Sequence, residues 1–151
     1  MAAFSVNFNA TNTASATVPM VNGMATATNQ IGIYEINAGS DASADNAVKY
    51  AMFRTSARQT SSTSVTANSV DQNVTQSALS TWDTAWNINP TVTASSQILQ
   101  WAQHQRATYR WVAYDYTKVL KTQAGTGKGM SLMSVVVSSA FNAVFSIEYD
   151  E

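Results

Sequence analysis

Cysteine is absent from all 151 residues, which removes disulfides, thiolate nucleophiles and Cys-based metal sites together. That absence is compatible with either redox compartment. Charge is scarce as well: 11% of residues are Asp, Glu, Lys or Arg, against about 25% in an ordinary soluble domain. Eight basic and nine acidic residues give a formal net charge of −1. There is thus no basic surplus with which to displace counterions from nucleic acid. No apolar run is long enough for a secretory core or a membrane span, and Met1-Ala2-Ala3-Phe4 lacks the basic start of a signal peptide. The two sequons, Asn9-Ala10-Thr11 and Asn73-Val74-Thr75, are what chance supplies in a chain so rich in Asn and Thr.

What is present argues for order. Hydrophobic residues make up 45% of the chain and aromatics 10%, too much apolar surface for a disordered segment. The length suits one domain spanning 1–151, large enough to bury roughly two-thirds of its unfolded surface. A surface of Ser, Thr and Asn with so few charges offers little repulsion between copies. It suits a protein that works packed among neighbours, although a lectin-like module has the same character.

Period-two alternation is the dominant pattern, and it places alternate side chains on opposite faces of a strand. Phe4, Val6 and Phe8 alternate with Ser5, Asn7 and Asn9. Gln30 to Ile36 predicts a second strand, with Ile31 and Ile33 on one face and Tyr34 and Ile36 on the other, ending in a turn-rich loop from Asn37 to Asn46. Lys49 to Thr55 predicts a third. Ser56 to Ser80 reads mainly as polar loop with one weak edge strand, and Trp82 and Trp86 as anchors of a further loop. Ile98 to Trp101 and Arg106 to Tyr114 follow as strands, with Tyr109, Trp111 and Ala113 sharing a face of the latter and Arg106, Thr108, Arg110 and Val112 the other. A brief pairing is expected at Lys118 to Lys121, then a flexible loop at Gly125-Thr126-Gly127-Lys128-Gly129. Met130 to Ser138 and Asn142 to Tyr149 close the chain. Seven to nine strands without a helix predict an all-β fold of two antiparallel sheets, a sandwich or jelly roll with long polar loops. Residues 1–28, small and polar, read as an extended N-terminal arm able to add a strand to a neighbour.

Catalytic motifs fail one by one. A phosphate-binding loop needs G-x-x-x-x-G-K-[ST], but Thr122 stands where the first glycine belongs and Gly129 where the hydroxyl belongs. The single histidine, His104, has no companion ligands for zinc and no G-x-S-x-G nucleophile elbow accompanies it. Asp41, Asp45, Asn37 and Asn46 match no calcium-loop spacing and read as caps on loop backbone. Glu148, Asp150 and Glu151 read as a solvated terminus or a salt-bridge donor to a neighbour. The expectation is a non-enzyme without cofactor or metal. Its contact residues are expected at Trp82, Trp86 and Trp101, which could equally be core lids, and at Arg106 and Arg110, whose mutual repulsion calls for a partner carboxylate.

Three stretches carry a resemblance: Ile31-Gly32-Ile33-Tyr34-Glu35-Ile36-Asn37-Ala38-Gly39, Arg106-Ala107-Thr108-Tyr109-Arg110-Trp111-Val112-Ala113 and Phe145-Ser146-Ile147-Glu148-Tyr149-Asp150-Glu151. With Gly127-Lys128-Gly129-Met130-Ser131-Leu132 they resemble small virion structural proteins of tailed bacteriophages, of the head decoration or cement type. The resemblance implies a β-rich protein on the outer face of the capsid, bound to the major capsid protein. It also implies self-assembly as a homotrimer or other small oligomer, with no nucleic acid or membrane partner. A tail, neck or adaptor component of the same particle is the nearest alternative. A carbohydrate-binding sandwich, with Trp82, Trp86 and Trp101 stacking on sugar rings, is the other.

Overall fold

The computed structural model describes residues 2–12, 19–41, 47–58, 63–73, 75–86, 89–104, 106–137 and 140–151. It contains twelve strands: β1 (Ala3–Asn12), β2 (Pro19–Met24), β3 (Gly32–Ser40), β4 (Ala47–Ala57), β5 (Thr63–Val65), β6 (Ala67–Ser69), β7 (Thr81–Thr84), β8 (Thr91–His104), β9 (Tyr109–Val112), β10 (Leu120–Lys121), β11 (Gly129–Val137) and β12 (Phe141–Asp150). The only helical element among the described residues is a 3-10 turn at Tyr116–Lys118, capped by the Asp115 carboxylate, which accepts the Thr117 N–H. The strands form two antiparallel six-stranded sheets. One runs β10-β3-β12-β1-β6, with β9 sharing the outer edge of β3, and the other runs β5-β7-β2-β11-β4-β8. An antiparallel β-sandwich is therefore present, with twelve strands among the described residues where alternation alone gave seven to nine.

Alternation explains the central strands. Phe4, Val6 and Phe8 of β1 are buried, as are Ala143, Phe145, Ile147 and Tyr149 of β12 beside them. The two strands pair along their whole length, from Ala3 opposite Asp150 to Asn12 opposite Phe141. The second sheet supplies Val21, Tyr50, Met52, Trp82, Trp101, Met130 and Leu132 to the same core. Aromatic contacts join the layers. Tyr50 meets Phe145 edge-on at 5.3 Å, and Trp82 tilts against Tyr149 at 5.1 Å. Trp101 stacks nearly parallel on Tyr109 at 4.7 Å. Burying each of these side chains contributes about 1.5–3 kcal/mol, with some extra for ring geometry.

Simple alternation fails in β3, and the reason is a bulge. Tyr149 lies opposite Ile33 and Glu148 opposite Glu35, so Tyr34 is an extra residue without a partner on β12. The insertion turns Ile33 and Ile36 to the same side, and both are fully buried with Ile31. The carbonyl of Tyr34 is not wasted; it accepts the Ala113 N–H at 2.8 Å. β3 also runs on through Asn37-Ala38-Gly39-Ser40, which the turn-forming composition had suggested was loop.

The described part of the first 28 residues is not an arm. β1 lies between β12 and β6, and β2 lies between β7 and β11, so both are interior strands of their sheets. The polar stretch from Ser56 to Ser80 supplies two edge strands, β5 in one sheet and β6 in the other. β9 is shorter than expected, because Arg106 and Ala107 form a turn in which the Ala107 N–H returns to the His104 carbonyl.

The outward face of the second sheet is partly buried and polar. Asp83 and Asn22 lie opposite one another and are both fully buried. Arg58 holds Asp83 through two hydrogen bonds of 2.7 and 2.8 Å, and Ser64 adds a third. The Asn22 side-chain carbonyl accepts both the Thr55 and the Ser131 hydroxyls at 2.8 Å. These contacts tie β2, β4, β7 and β11 together across their strand directions.

Candidate functional site

The five expected contact residues are not brought together. Trp82 is 1% exposed and Trp101 is 6% exposed, so both are core side chains that cannot present a ring face to a partner. The Trp101 indole N–H is also spent, donating to the Gln103 side-chain carbonyl at 2.9 Å. Trp86 is half-buried and donates its indole N–H to the Pro19 carbonyl, which pins the segment after β7 to the start of β2. Arg106 is exposed in the turn before β9, its main-chain N–H directed to the His104 imidazole. Arg110 finds its carboxylate within the chain. It donates to both oxygens of Glu35 at 2.8 and 2.9 Å, and this pairing chiefly holds the Glu35 carboxyl below its usual range.

Arg110 stands at the rim of a shallow groove of about 700 Å³ across the outer face of the first sheet. Strand register lays out its floor. Asn7, Ser146, Asn37 and Arg110 follow one another across β1, β12, β3 and β9. Asn9, Val144 and Gly39 form the next row, with Thr108 beyond Gly39. Gly39 has no side chain, which deepens the middle, and Val144 is 46% exposed there. Amides and hydroxyls dominate this floor, and the Arg110–Glu35 ion pair at its edge is already closed. Such a surface hydrogen-bonds but exerts little long-range pull.

The second exposed feature is an edge. β8 is fourteen residues long and terminates its sheet, pairing with β4 alone among the described strands. Its sequence, from Thr91 to His104, contains no Asp, Glu, Lys, Arg or Pro. Natural sheets blunt long edges with those residues, because an open row of N–H and C=O groups recruits another strand. The first half of β8 is irregular, with register shifts against β4 and Ser95 at φ 54. From Leu99 to His104 the pairing is unbroken. Sequence reading found only Ile98 to Trp101 of this strand. The β-branched run Thr91-Val92-Thr93 after Pro90 was the signal that it begins earlier.

The polar clusters singled out in the sequence have structural duties. Asp41 receives the Asn142 side-chain amide and pairs its backbone with the same residue, while Asn37 donates to Glu35. Asp45 and Asn46 lie outside the described residues. Among the described residues no three His, Cys, Asp or Glu side chains are grouped so as to hold a metal ion. The acidic end is not a solvated terminus: Asp150 still belongs to β12. The Glu151 carboxylate accepts the backbone N–H groups of Leu79 and Ser80. Burial raises the Asp150 carboxyl against the opposing influence of Lys121. The glycine-rich loop is tied down too, with Gly125 donating to the Thr26 carbonyl and Lys128 accepting from the Ala25 N–H. No protein-family model, no curated protein and no solved structure matches the chain.

Proposed function

We propose that the protein is a non-enzymatic virion structural protein that binds the outer surface of a tailed-phage capsid and stabilises it by bridging major capsid protein subunits. The observation that carries this reading is the uncharged edge of β8. Its occupant by chemistry is a strand from a neighbouring protein subunit, whose main chain supplies the complementary donors and acceptors. The low-charge surface and the neutral groove on the opposite sheet fit a protein held among close neighbours rather than one steered to a charged ligand. The resemblance of the β3, β9 and β12 sequences to phage decoration proteins points to a capsid lattice as the source of that neighbour. Assembly as a homotrimer or other small oligomer is part of the same reading.

The test is the solution mass of the purified protein, followed by co-sedimentation with phage heads that lack it and with isolated tails. A discrete oligomer that binds heads saturably and raises their melting temperature is the expected result. Binding to tails alone makes the protein a tail or neck component, and a monomer that binds neither overturns the proposal.

A further inference from the structure

At one end of the sandwich three of the eight basic residues converge on a single cleft. Arg54 comes from β4, Lys121 from β10 and Lys128 from the loop before β11. With Thr55, Ser56, Thr93, Gln123 and Gly129 they line about 420 Å³. No Asp or Glu is present among these lining residues. Lys121 also lines an adjoining hollow with Asp150 and Glu151, where Asp150 is itself partly removed from water. In a chain so poor in charge, such a concentration is not a statistical surface. Like charges gathered in one concavity repel, and their shared field is relieved by an anion.

Two of the three cations are held in place. The Arg54 guanidinium donates through Nη1 to the Lys121 carbonyl at 2.8 Å, which spans from one sheet to the other and leaves its remaining N–H groups for another acceptor. The Lys121 ammonium sits 3.4 Å from the centre of the Tyr116 ring, in the adjoining hollow, so Lys121 borders the cleft without directing its charge into it. Lys128 is positioned by its neighbour. Gly127 has φ +81, and a β-carbon there would meet the Ser56 carbonyl oxygen at 2.9 Å. Only glycine permits that approach without strain, so the loop closes against the end of β4 and carries Lys128 into the cleft.

We infer that this cleft binds a phosphate or sulfate ester group, with Arg54 and Lys128 as its charged arms and the Ser56 and Thr93 side chains as neutral donors. The two charged arms leave a single carboxylate outnumbered, whereas a doubly charged tetrahedral oxyanion balances them and accepts more hydrogen bonds. The cleft is larger than the anion alone, which leaves room for a small polar body such as a sugar ring. The net charge of −1 argues against a nucleic-acid backbone.

Thermal shift and amide chemical shifts on the full chain test this, with inorganic phosphate, inorganic sulfate, a hexose phosphate and a triglutamate peptide as separate probes. Saturable responses to the hexose phosphate and to at least one inorganic anion are expected, centred on residues 54–56 and 125–129. A hexose phosphate that binds more tightly than inorganic phosphate identifies an ester as the ligand, and equal affinities identify the free anion. Arg54→Gln and Lys128→Gln should each weaken binding roughly tenfold, with tryptophan fluorescence confirming an intact core. Gly127→Ala should weaken it without removing a charge. Responses unchanged in Arg54→Gln and Lys128→Gln, no saturation with any probe, or triglutamate binding as well as the tetrahedral anions would overturn the inference.

Discussion

The indole of Trp82 lies flat over Gly23, so close that a β-carbon on Gly23 would stand 2.7 Å from the ring. The two residues are opposed in neighbouring strands, and the missing side chain of one makes the space that the other fills. Gly23→Ala is expected to lower stability by about 1–3 kcal/mol through overpacking. A denaturation midpoint unchanged from wild type would show that the indole has room to move.

The Arg58–Asp83 pair differs in kind from Arg110–Glu35. Asp83 is fully buried, whereas the Glu35 side chain keeps some exposure and Arg110 is 65% exposed. Removing the partner of a buried carboxylate is costly, so Arg58→Ala should destabilise by on the order of 2–4 kcal/mol. The exposed Arg110→Ala should change stability little and lose its effect further in high salt. Equal losses in urea denaturation would contradict this ranking.

Alkaline pH should unfold the protein through its tyrosines. Burial pushes both Tyr34 and Tyr149 up to about 12, with nearby Glu148 adding to the effect at Tyr34. Both phenols stay protonated in the fold after their unfolded counterparts have ionised near 10.0. Stability is therefore full below pH 10 and falls as pH rises toward about 12. Burial raises the Tyr109 phenol as well, so phenolate absorbance should show Tyr34, Tyr109 and Tyr149 titrating late, and Tyr149→Phe should flatten the decline in melting temperature. At neutral pH that variant loses the 2.8 Å hydrogen bond from Ser80, worth about 0.5–1.5 kcal/mol.

Charge placed on the edge of β8 should separate folding from docking. Gln100 and Ala102 are exposed on that strand, so Gln100→Lys with Ala102→Lys should leave the melting temperature nearly unchanged while reducing self-association and binding to heads. Undiminished head binding would move the contact to the groove beside Arg110.

How far the sequence was legible follows from what each strand packs against. β1 and β12 alternate cleanly because each has one face on the core and one in solvent, and Phe4 to Phe8 and Ala143 to Tyr149 show it directly. β3 was misread at Ile36 because the bulge at Tyr34 resets the count, and nothing in the local residues announces an unpaired position. β5 and β6 are three residues each and owe their existence to the strands beside them, so composition showed one weak edge strand in a polar loop where there are two. The N-terminal stretch looked like an arm for the same reason: Met20 and Val21 are buried by partners from the far end of the chain. Trp82 and Trp101 illustrate a different limit. Their size announces importance, but only the opposing Tyr149 and Tyr109 rings decide that they face inward.

β1 pairs with β12 over its whole length, and the backbone of Ala2 exchanges hydrogen bonds with that of Glu151. The centre of one sheet is thus assembled from the two strands that lie farthest apart along this sequence. Phe4, Val6 and Phe8 lack their partners on that side until Phe145, Ile147 and Tyr149 have been made, so closure of the sandwich has the slow kinetics of distant pairing. Newly made chains waiting side by side, each with an unfilled place beside β1, are the ones at risk of accepting another molecule's β12 in place of their own.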